Sequence, residues 1–502
     1  MALTTATTLG ALLLQRVASH SLSTAVRWDH DDTRWGRLDY QTLAQRVASM
    51  VAAVPVARGE RVAWLGFNHP GQIALLLALA QRGALLVPLN HRQSPADWAA
   101  VVADCTPTML LHDHAFAEPA QALATATGMQ ALSIDDVPLN VHATTPDTSQ
   151  PDDAVLLTYT AGTTDLPKGA VHTQQTVLAQ MAVAAQVQGL GDGDTVLCAL
   201  PLFDLGGPCL QTLAALSVGA QVLLHSRFDP AAVLTGIEHD HPTLTRQSPA
   251  TLQALTQHPR WAATPLRSLR AIWTGGGPLP AAPVQACVAR GVPVCHVYGT
   301  AETGEFAMAL GPEHAVSHQG TCGWPVPGID VKLVDTQDED VVRGRVGEIC
   351  LRGPVVAQRW WPDVAALDAD GFFHSGDLGL SDGDGSITVV GRAQDMIVSG
   401  GEHIHPAEIE HLLAQHPWVA ECAVVGRPDE REGEICVAVV VLREGAPATW
   451  ADDMATSLQG QLARHKWPRR WYQAPALPRS ALGKVQKPAV RAWLASQPTP
   501  LA

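Results

Sequence analysis

The sequence predicts an α/β protein whose large N-terminal domain has parallel sheets covered by helices, joined by a small β-rich subdomain and an α+β C-terminal domain. Short apolar runs alternate with helical stretches between residues 60 and 300, which is typical of a parallel sheet. After about residue 320 the runs shorten and are separated by Gly, Pro and Asp turns, which indicates the β-rich part. The chain has 502 residues, more than a single core usually supports, so several domains are expected.

The strands of the N-terminal part are predicted from apolar runs bounded by polar or turn residues. These runs are Arg61–Leu65, Ala84–Pro88, Thr108–His112, Thr195–Leu200 and Gln221–His225. Two further apolar stretches are predicted as helices: Leu9–Leu14 begins an amphipathic helix and Ile73–Leu79 is a buried one. Both are too short to cross a bilayer, which takes ~18 or more apolar residues, so no integral membrane segment is expected.

The C-terminal part shows a different pattern. Gly347–Arg352 is predicted as a strand of the β-rich subdomain, and Pro406–Leu413 as a helix. Glu421–Gly426 and Cys436–Leu442 are rich in Val and are predicted as strands. A small α+β unit is therefore expected after Gly391 and Arg392.

Charge and cysteine usage exclude several classes of protein. The net charge of −15 disfavours binding to nucleic acids or anionic membranes, because both depend on basic patches. The nine cysteines are scattered singly without a Cys-x-x-Cys pair, which indicates reduced thiols and no structural zinc. A cytoplasmic location is the expectation.

The strongest functional signal is a loop with the sequence Tyr159-Thr-Ala-Gly-Thr-Thr-Asp-Leu-Pro-Lys-Gly169. Its small residues leave backbone N–H groups free to surround a phosphate, and Lys168 adds a positive charge. The order of residues differs from a Walker loop, which argues against a common nucleotide hydrolase. Ala154–Tyr159 before the loop is predicted as a buried strand, and His172–Gln188 after it as a helix.

Four more clusters follow in the chain. Tyr298–Glu302 offers an aromatic face, a close backbone approach and a carboxylate, which suit stacking and Mg²⁺ ligation. His374–Leu378 places one acid on a loop where it can accept two vicinal hydroxyls. Gly391–Asp395 contains a basic residue, and Leu477–Lys484 ends in a lysine after a glycine.

Taken in this order, the five motifs resemble those of the adenylate-forming superfamily of acyl-CoA synthetases, adenylation domains and luciferases. The resemblance covers nearly the whole chain and implies a ligase that uses ATP, Mg²⁺ and coenzyme A with a small-molecule acid. It implies an adenylation domain at residues 1–393 and a mobile lid at 394–502. The acid would first form an acyl-adenylate and then a thioester, with release of pyrophosphate and AMP.

The resemblance also implies a role for individual residues. The expected catalytic residues are Lys484, Glu302, Lys168, Thr163 and Thr164, with Glu302 also as the metal ligand. The expected ATP and AMP contacts are Thr160, Gly162, Gly275, Gly276, Gly277, Tyr298, Gly299, Thr300, Asp377 and Arg392. The expected acyl pocket comprises Asp204, Leu205, Gly206, Val297 and Gly304. The expected coenzyme A tunnel comprises Gly400, Gly401 and Glu402.

Five positions depart from the family pattern. These are Ala161, Asp165, Asp204, Ala301 and Gln394. They replace hydroxyls, a glycine, a pocket residue and a hinge residue, and they leave open a homologue that binds ATP or an acyl group without turnover. A ligase that loads a carrier protein is a further alternative, although coenzyme A is preferred because the sequence contains no carrier domain.

The acid is expected to be hydrophobic, either a medium- or long-chain fatty acid or an aryl acid. Gly206, Gly207 and Gly304 leave room in the pocket walls. Arg246 leaves two alternatives open, because it can bind the second carboxylate of a dicarboxylic acid or pair with Asp204 or Glu305 of the chain itself.

Overall fold

The structure is a computed structural model that describes residues 6–30, 35–139, 147–160, 168–277, 279–479 and 485–497. The chain forms two compact units, one of Met1–Val331 with Leu351–Phe373 and one of Lys332–Cys350 with His374–Ala502. The expected boundary at 393/394 concerns which part of the chain moves, and it stays a prediction.

Helices and strands alternate through the first unit and strands dominate the second. The α-helices are α1 Leu9–His20, α2 Tyr40–Ala53, α3 Pro70–Arg82, α4 Pro95–Cys105, α5 Ala117–Thr127, α6 Gln174–Gln188, α7 Leu213–Ser217, α8 Pro230–Asp240, α9 Pro249–Gln257, α10 Ala281–Val288, α11 Pro406–Leu413, α12 Trp450–Ser457 and α13 Lys487–Ala495. The strands are β1 Thr24–Trp28, β2 Arg37–Asp39, β3 Arg61–Leu65, β4 Leu85–Pro88, β5 Met109–His112, β6 Gln130–Ser133, β7 Ala154–Thr160, β8 Lys168–Thr173, β9 Thr195–Cys198, β10 Gln221–Leu224, β11 Leu244–Gln247, β12 Ala271–Thr274, β13 Val294–Tyr298, β14 Met308–Leu310, β15 Trp324–Pro325, β16 Asp330–Val334, β17 Val346–Arg352, β18 Arg359–Trp360, β19 Val364–Ala365, β20 Phe373–Ser381, β21 Ile387–Arg392, β22 Ile397–Ser399, β23 Glu402–Ile404, β24 Val419–Asp429, β25 Gly433–Leu442 and β26 Arg470–Gln473.

Two sheets organise the first unit. The nine-stranded sheet has the order β15-β14-β13-β12-β11-β9-β10-β1-β2, and the eight-stranded sheet has the order β19-β18-β8-β7-β4-β3-β5-β6. Strands β13, β12, β11, β9, β10 and β1 run parallel to their neighbours in this series, as do β7, β4, β3, β5 and β6. The parallel sheets predicted from the alternating pattern are confirmed, and each of the five predicted strands is present to within two residues.

The core follows from the two-residue period of the strands. In β3, Val62 and Trp64 point into a central apolar cluster that also contains side chains of α1, α2, α3 and α6. Ala63 and Leu65 point the other way, into a cluster with side chains of α4 and α5. Helix α3 is buried along nearly its whole length, from Pro70 to Ala80, as expected for a helix with apolar residues on every face. Helices therefore cover both faces of the sheet.

The predicted helix His172–Gln188 is wrong at its start. Lys168–Thr173 forms strand β8, which pairs antiparallel with β7 through Tyr159↔Gly169 and Leu157↔Val171. Helix α6 begins only at Gln174, where the Thr173 hydroxyl accepts a hydrogen bond from the Thr176 N–H. The phosphate-loop motif therefore connects two antiparallel strands, and not a strand and a helix.

The second unit contains a four-stranded sheet of order β16-β17-β20-β21 and a five-stranded sheet formed by β23-β22-β25-β24 with β26 beside β25. The predicted helix Pro406–Leu413 is confirmed as α11, and the two predicted strands lie within the longer antiparallel pair β24 and β25. Within the described ranges, no helix is both long and apolar enough to cross a membrane.

Candidate active site

The predicted site residues of the first unit lie where parallel strands end. Gly275, Gly276 and Gly277 directly follow β12, and Tyr298 is the last residue of its neighbour β13. Since the carboxyl ends of parallel strands share one edge of a sheet, the glycines and Tyr298 are brought to the same place. A Cβ atom on Gly275 would lie 2.7 Å from Val297 Cγ2, so the two segments are in close contact.

The turn after β13 is built from backbone and hydroxyl groups. The Thr300 N–H donates to the Thr303 hydroxyl at 2.9 Å, and the Glu302 N–H donates to the Thr300 hydroxyl at 3.3 Å. A Cβ atom on Gly299 would overlap the Gly304 carbonyl oxygen, so only glycine fits there. The turn consequently holds Tyr298 and Glu302 in a fixed relation.

Glu302 has the features of a metal ligand. Its side chain is buried, and its carbonyl oxygen accepts a hydrogen bond from the Ala357 N–H at 2.6 Å, which anchors the backbone. Among the described residues, no cationic side chain forms an ion pair with the Glu302 carboxylate. A buried carboxylate without a cationic neighbour suits a divalent metal such as Mg²⁺, which takes oxygen ligands.

In the second unit, Asp377 and Arg392 form a pair. They face each other across β20 and β21, and the Arg392 Nε donates to the Asp377 carboxylate at 2.8 Å. Asp377 is buried, whereas the Arg392 side chain is about half exposed. The expectation that Asp377 lies on a loop is wrong: it lies in β20, because its strand pairs with β21 along its length.

A residue that the sequence did not single out supports Asp377. The two oxygens of Glu348 face the Gly376 N–H at 2.8 Å and the His374 ring at 3.4 Å. Glu348 therefore positions the backbone on the N-terminal side of Asp377. Its place in the strand Gly347–Arg352 gave no sign of this, because the contact joins residues that are distant in sequence.

Several predicted phosphate contacts lie outside the described residues: Gly162, Thr163, Thr164 and Lys484. The substitutions Ala161 and Asp165 are also outside them. Thr160 ends β7, and Lys168 begins β8 with its ammonium 5.8 Å from the Trp360 ring centroid. The two ends of the phosphate-loop motif are thus placed side by side by the β7–β8 pair.

The predicted acyl-pocket segments converge on one buried ion pair. Arg246, at the end of β11, contacts Glu305, and their side chains are 3% and 12% exposed. A Cβ atom on Gly206 would overlap the Arg246 guanidinium, and one on Gly275 would lie 3.3 Å from it. Of the two chain carboxylates that the sequence left open, the structure selects Glu305.

The remaining predicted pocket residues lie on the same segments of the chain. Leu205 and Val297 are buried, and the Asp204 carboxylate accepts a hydrogen bond from the Leu205 N–H at 2.9 Å. Gly206 begins a π-helix, Gly206–Thr212, and π-helical turns are frequent at functional sites. Gly304 has φ = +67°, and a Cβ atom there would lie 3.0 Å from Gln180.

Comparison with known proteins identifies the family. The AMP-binding enzyme family matches residues 13–361, and the AMP-binding enzyme C-terminal domain matches residues 408–484. The chain belongs to the AMP-binding enzyme family. The resemblance inferred from the five motifs is confirmed, together with the mixed α/β fold and its small C-terminal domain.

Two relatives and one solved structure illustrate the similarity. The AMP-binding enzyme is 39% identical to an indoleacetate–CoA ligase of Aromatoleum aromaticum, over 94% of this chain and 95% of that protein. It is 37% identical to a feruloyl-CoA synthase of an Amycolatopsis species, over 96% of this chain and 98% of that protein. The o-succinylbenzoate CoA synthetase of Bacillus subtilis, bound to its acyl-adenylate, aligns with a TM-score of 0.85 at 27% identity, over 98% of this chain and 99% of that chain.

One further residue of the AMP-binding enzyme, His172, links its motifs. The buried His172 ring lies 3.3 Å from both the Thr158 hydroxyl and the Gln180 amide nitrogen, and it also bonds the Ala301 backbone. Burial lowers the pKa of His172 to about 4, so the ring is neutral at pH 7. His172 therefore connects the strand after the phosphate loop to the turn that carries Glu302. Its position at the supposed start of a helix concealed this role.

The predicted coenzyme A tunnel residues form a tight turn. Gly400 and Gly401 have φ values of +58° and +86° and join β22 to β23, as in the hairpin turns that require two left-handed residues. The Gly400 N–H donates to the Glu432 carbonyl oxygen at 2.8 Å, and Glu402 is exposed. Turning the chain is thus one role of these glycines, and contact with a thiol arm stays a prediction.

Proposed function

We propose that this AMP-binding enzyme is an ATP-dependent carboxylic acid–CoA ligase that acts on an aryl or other hydrophobic monocarboxylic acid. In the first step a carboxylate oxygen bonds to the α-phosphorus of ATP, and the bond to pyrophosphate breaks. In the second step the sulfur of coenzyme A bonds to the acyl carbon, and AMP leaves. The products are a thioester, AMP and pyrophosphate.

The first step must bring two anions together. Lys484 would lie between the acid and the α-phosphate, while Lys168, Thr163 and Thr164 would hold the outer phosphates. A positioned cation of this kind contributes about 3 kcal/mol to the transition state. Glu302 would hold Mg²⁺, which offsets the charge of the phosphates when bound.

Separate groups of the chain would hold the adenine and the ribose. Tyr298 and the run of glycines from Gly275 to Gly277 would flank the adenine, because they end neighbouring strands. Asp377 is buried and acceptor-only, which suits the two ribose hydroxyls. Its partner Arg392 would orient the carboxylate.

The buried pair of Arg246 and Glu305 is the observation that supports a monocarboxylic acid. A guanidinium without a counter-charge would attract a second substrate carboxylate, but here Glu305 neutralises it. Val297 is apolar and buried, which suits a hydrophobic acid. The indoleacetate and ferulate ligases among the relatives also act on aryl monocarboxylic acids, which supports this class.

The thiol would reach the adenylate past Gly400, Gly401 and Glu402. A free-standing carrier protein is the alternative acceptor, and it differs from coenzyme A only in what carries the thiol arm.

A pooled-substrate experiment tests the proposal. The protein is incubated with MgATP, coenzyme A and a panel of aryl, cinnamic, fatty and dicarboxylic acids, and thioesters are identified by mass spectrometry. We expect thioesters of aryl monocarboxylic acids to dominate. Acyl-adenylates without thioesters would shift the acceptor to a carrier protein, and the absence of both would refute the proposal.

A further inference from the structure

The Arg246–Glu305 ion pair is unusual for an enzyme pocket because both charges belong to the protein and both are largely buried. The two side chains are 3% and 12% exposed. Removing one member of such a pair leaves an uncompensated charge in a low-dielectric site, so the remaining partner acquires a strong demand for a counter-ion. An anion beside Arg246 is therefore strongly favoured when Glu305 is replaced.

Two glycines of the predicted acyl-pocket and adenine segments pack against the pair. Gly206 packs directly on it: a Cβ atom there would overlap the guanidinium and lie 2.8 Å from the Glu305 carboxylate. Gly275 packs on the same guanidinium at 3.3 Å. The ion pair therefore lies directly against residues predicted to line the acyl pocket.

Glu305 reaches Arg246 from the turn that also carries Gly299 and Gly304. Its Cα would lie 2.7 Å from a Cβ atom on Gly299, so the position of the carboxylate is fixed by the same packing that fixes the turn. The carboxylate is thus preorganised beside the guanidinium and does not have to be recruited from solvent. A substrate carboxylate would have to displace a group that is already in place.

We propose that Glu305 is a specificity-determining residue, a built-in carboxylate that occupies the place on Arg246 where the second carboxylate of a dicarboxylic acid would bind. This inference rests on the proposed ligase function. It predicts that the enzyme accepts acids with a neutral distal end and rejects dicarboxylic acids of the same size. Replacing Glu305 by a neutral residue of the same shape would then shift the preference toward dicarboxylic acids.

The test compares kcat/KM for two acids of matched size, an aryl acetic acid and the same ring bearing a second carboxylate. In Glu305→Gln the dicarboxylic acid should gain about 10- to 100-fold relative to the monocarboxylic acid, as expected for one charge-assisted contact. Glu305→Asp keeps the charge and should show no such gain. Glu118→Gln, an exposed glutamate on α5, is the matched control and should behave as wild type.

A second variant keeps the test decisive if Glu305→Gln unfolds. Arg246→Met/Glu305→Leu removes both charges, so the kcat/KM of the dicarboxylic acid should show no gain relative to the monocarboxylic one. A gain in the double variant would overturn the assignment, because Arg246 would then not be the group that reads the carboxylate. An unchanged ratio in a folded Glu305→Gln enzyme would overturn it equally.

The outcomes for the two proposals are distinct. If the wild-type protein forms no thioester or adenylate with any acid, the ligase function fails. If the wild-type protein is active and a folded Glu305→Gln enzyme keeps the wild-type ratio between the two acids, only the role of Glu305 fails.

Discussion

Replacing Gly299 by alanine tests whether the turn after β13 fixes the catalytic geometry. The added Cβ atom would overlap the Gly304 carbonyl oxygen and lie 2.7 Å from the Glu305 Cα. Ordinary carbon–carbon contacts begin near 3.5 Å, so the backbone at residue 299 or at residues 304–305 must move by about 1 Å. Both neighbours are main-chain atoms, and a rotamer change cannot relieve the clash.

The expected magnitude follows from this displacement. Overpacking of this kind costs about 1 to 3 kcal/mol of stability. A catalytic group displaced by about 1 Å loses on the order of 100-fold in rate, and Glu302 lies on the turn that must move. We therefore expect Gly299→Ala to remain folded at 25 °C but to lose most of its adenylation activity.

The assay is ATP–pyrophosphate exchange with an aryl acid, together with thermal unfolding of each variant. Gly193→Ala is the matched control, because a Cβ atom on Gly193 meets no atom within 4 Å. It should keep activity within about threefold, as surface substitutions usually do. A folded Gly299→Ala protein with the exchange rate of wild type would refute the reasoning.

Three further predictions concern other parts of the site. Asp377→Asn should raise KM for ATP by about 10-fold or more, whereas Asp330→Asn, which breaks an exposed pair with Arg352, should change it less than about threefold; steady-state kinetics in ATP decides. The pKa of His172 is lowered by burial to about 4, so the unfolded state binds more protons between pH 6.5 and 4. Stability is then complete above about pH 6.5 and falls on acidification by up to ~1.4 kcal/mol per pH unit, a slope that His172→Gln should reduce in urea unfolding. Lys484→Ala should lose adenylation by about 100-fold or more while retaining ATP affinity by calorimetry, and unchanged thioester formation would contradict its role.

The parallel sheets could be predicted because their strands are short apolar runs between turns. Arg61–Leu65 matches β3 at both ends, since its side chains are buried on both faces and leave an unbroken apolar signal. Helix α3 was equally clear from Ile73–Leu79, because no polar residue interrupts it. In both cases the local sequence and the tertiary environment favour the same structure.

The strand β8 could not be predicted in the same way. His172 and Thr173 lie between an apparent loop and a clear helix, and a polar residue in that place normally caps a helix. What makes the segment a strand is its pairing with β7 on one side and with β18 on the other, through Val171↔Arg359 and Ala170↔Trp360. The β18 partner is distant in sequence, so the tertiary structure overrides the local preference.

The candidate site likewise contains residues that local motifs reveal and contacts that only the tertiary structure reveals. Glu302, Tyr298 and Asp377 were found because their motifs carry chemistry in a few consecutive residues. The choice of Glu305 over Asp204 as partner of Arg246 could not be found, because it depends on how the turn after β13 packs against Gly206. The same holds for Glu348, whose contacts cross from β17 to β20.

A two-stage mass-spectrometric measurement tests the central claim most directly. The wild-type protein is first incubated with MgATP and an aryl acetic acid, and the acyl-adenylate is quantified; coenzyme A is then added and the thioester is followed. The account predicts an adenylate that forms without coenzyme A and converts to an equal amount of thioester once it is added. No adenylate with any aryl acid, or an adenylate that persists unchanged after coenzyme A is added, would contradict it.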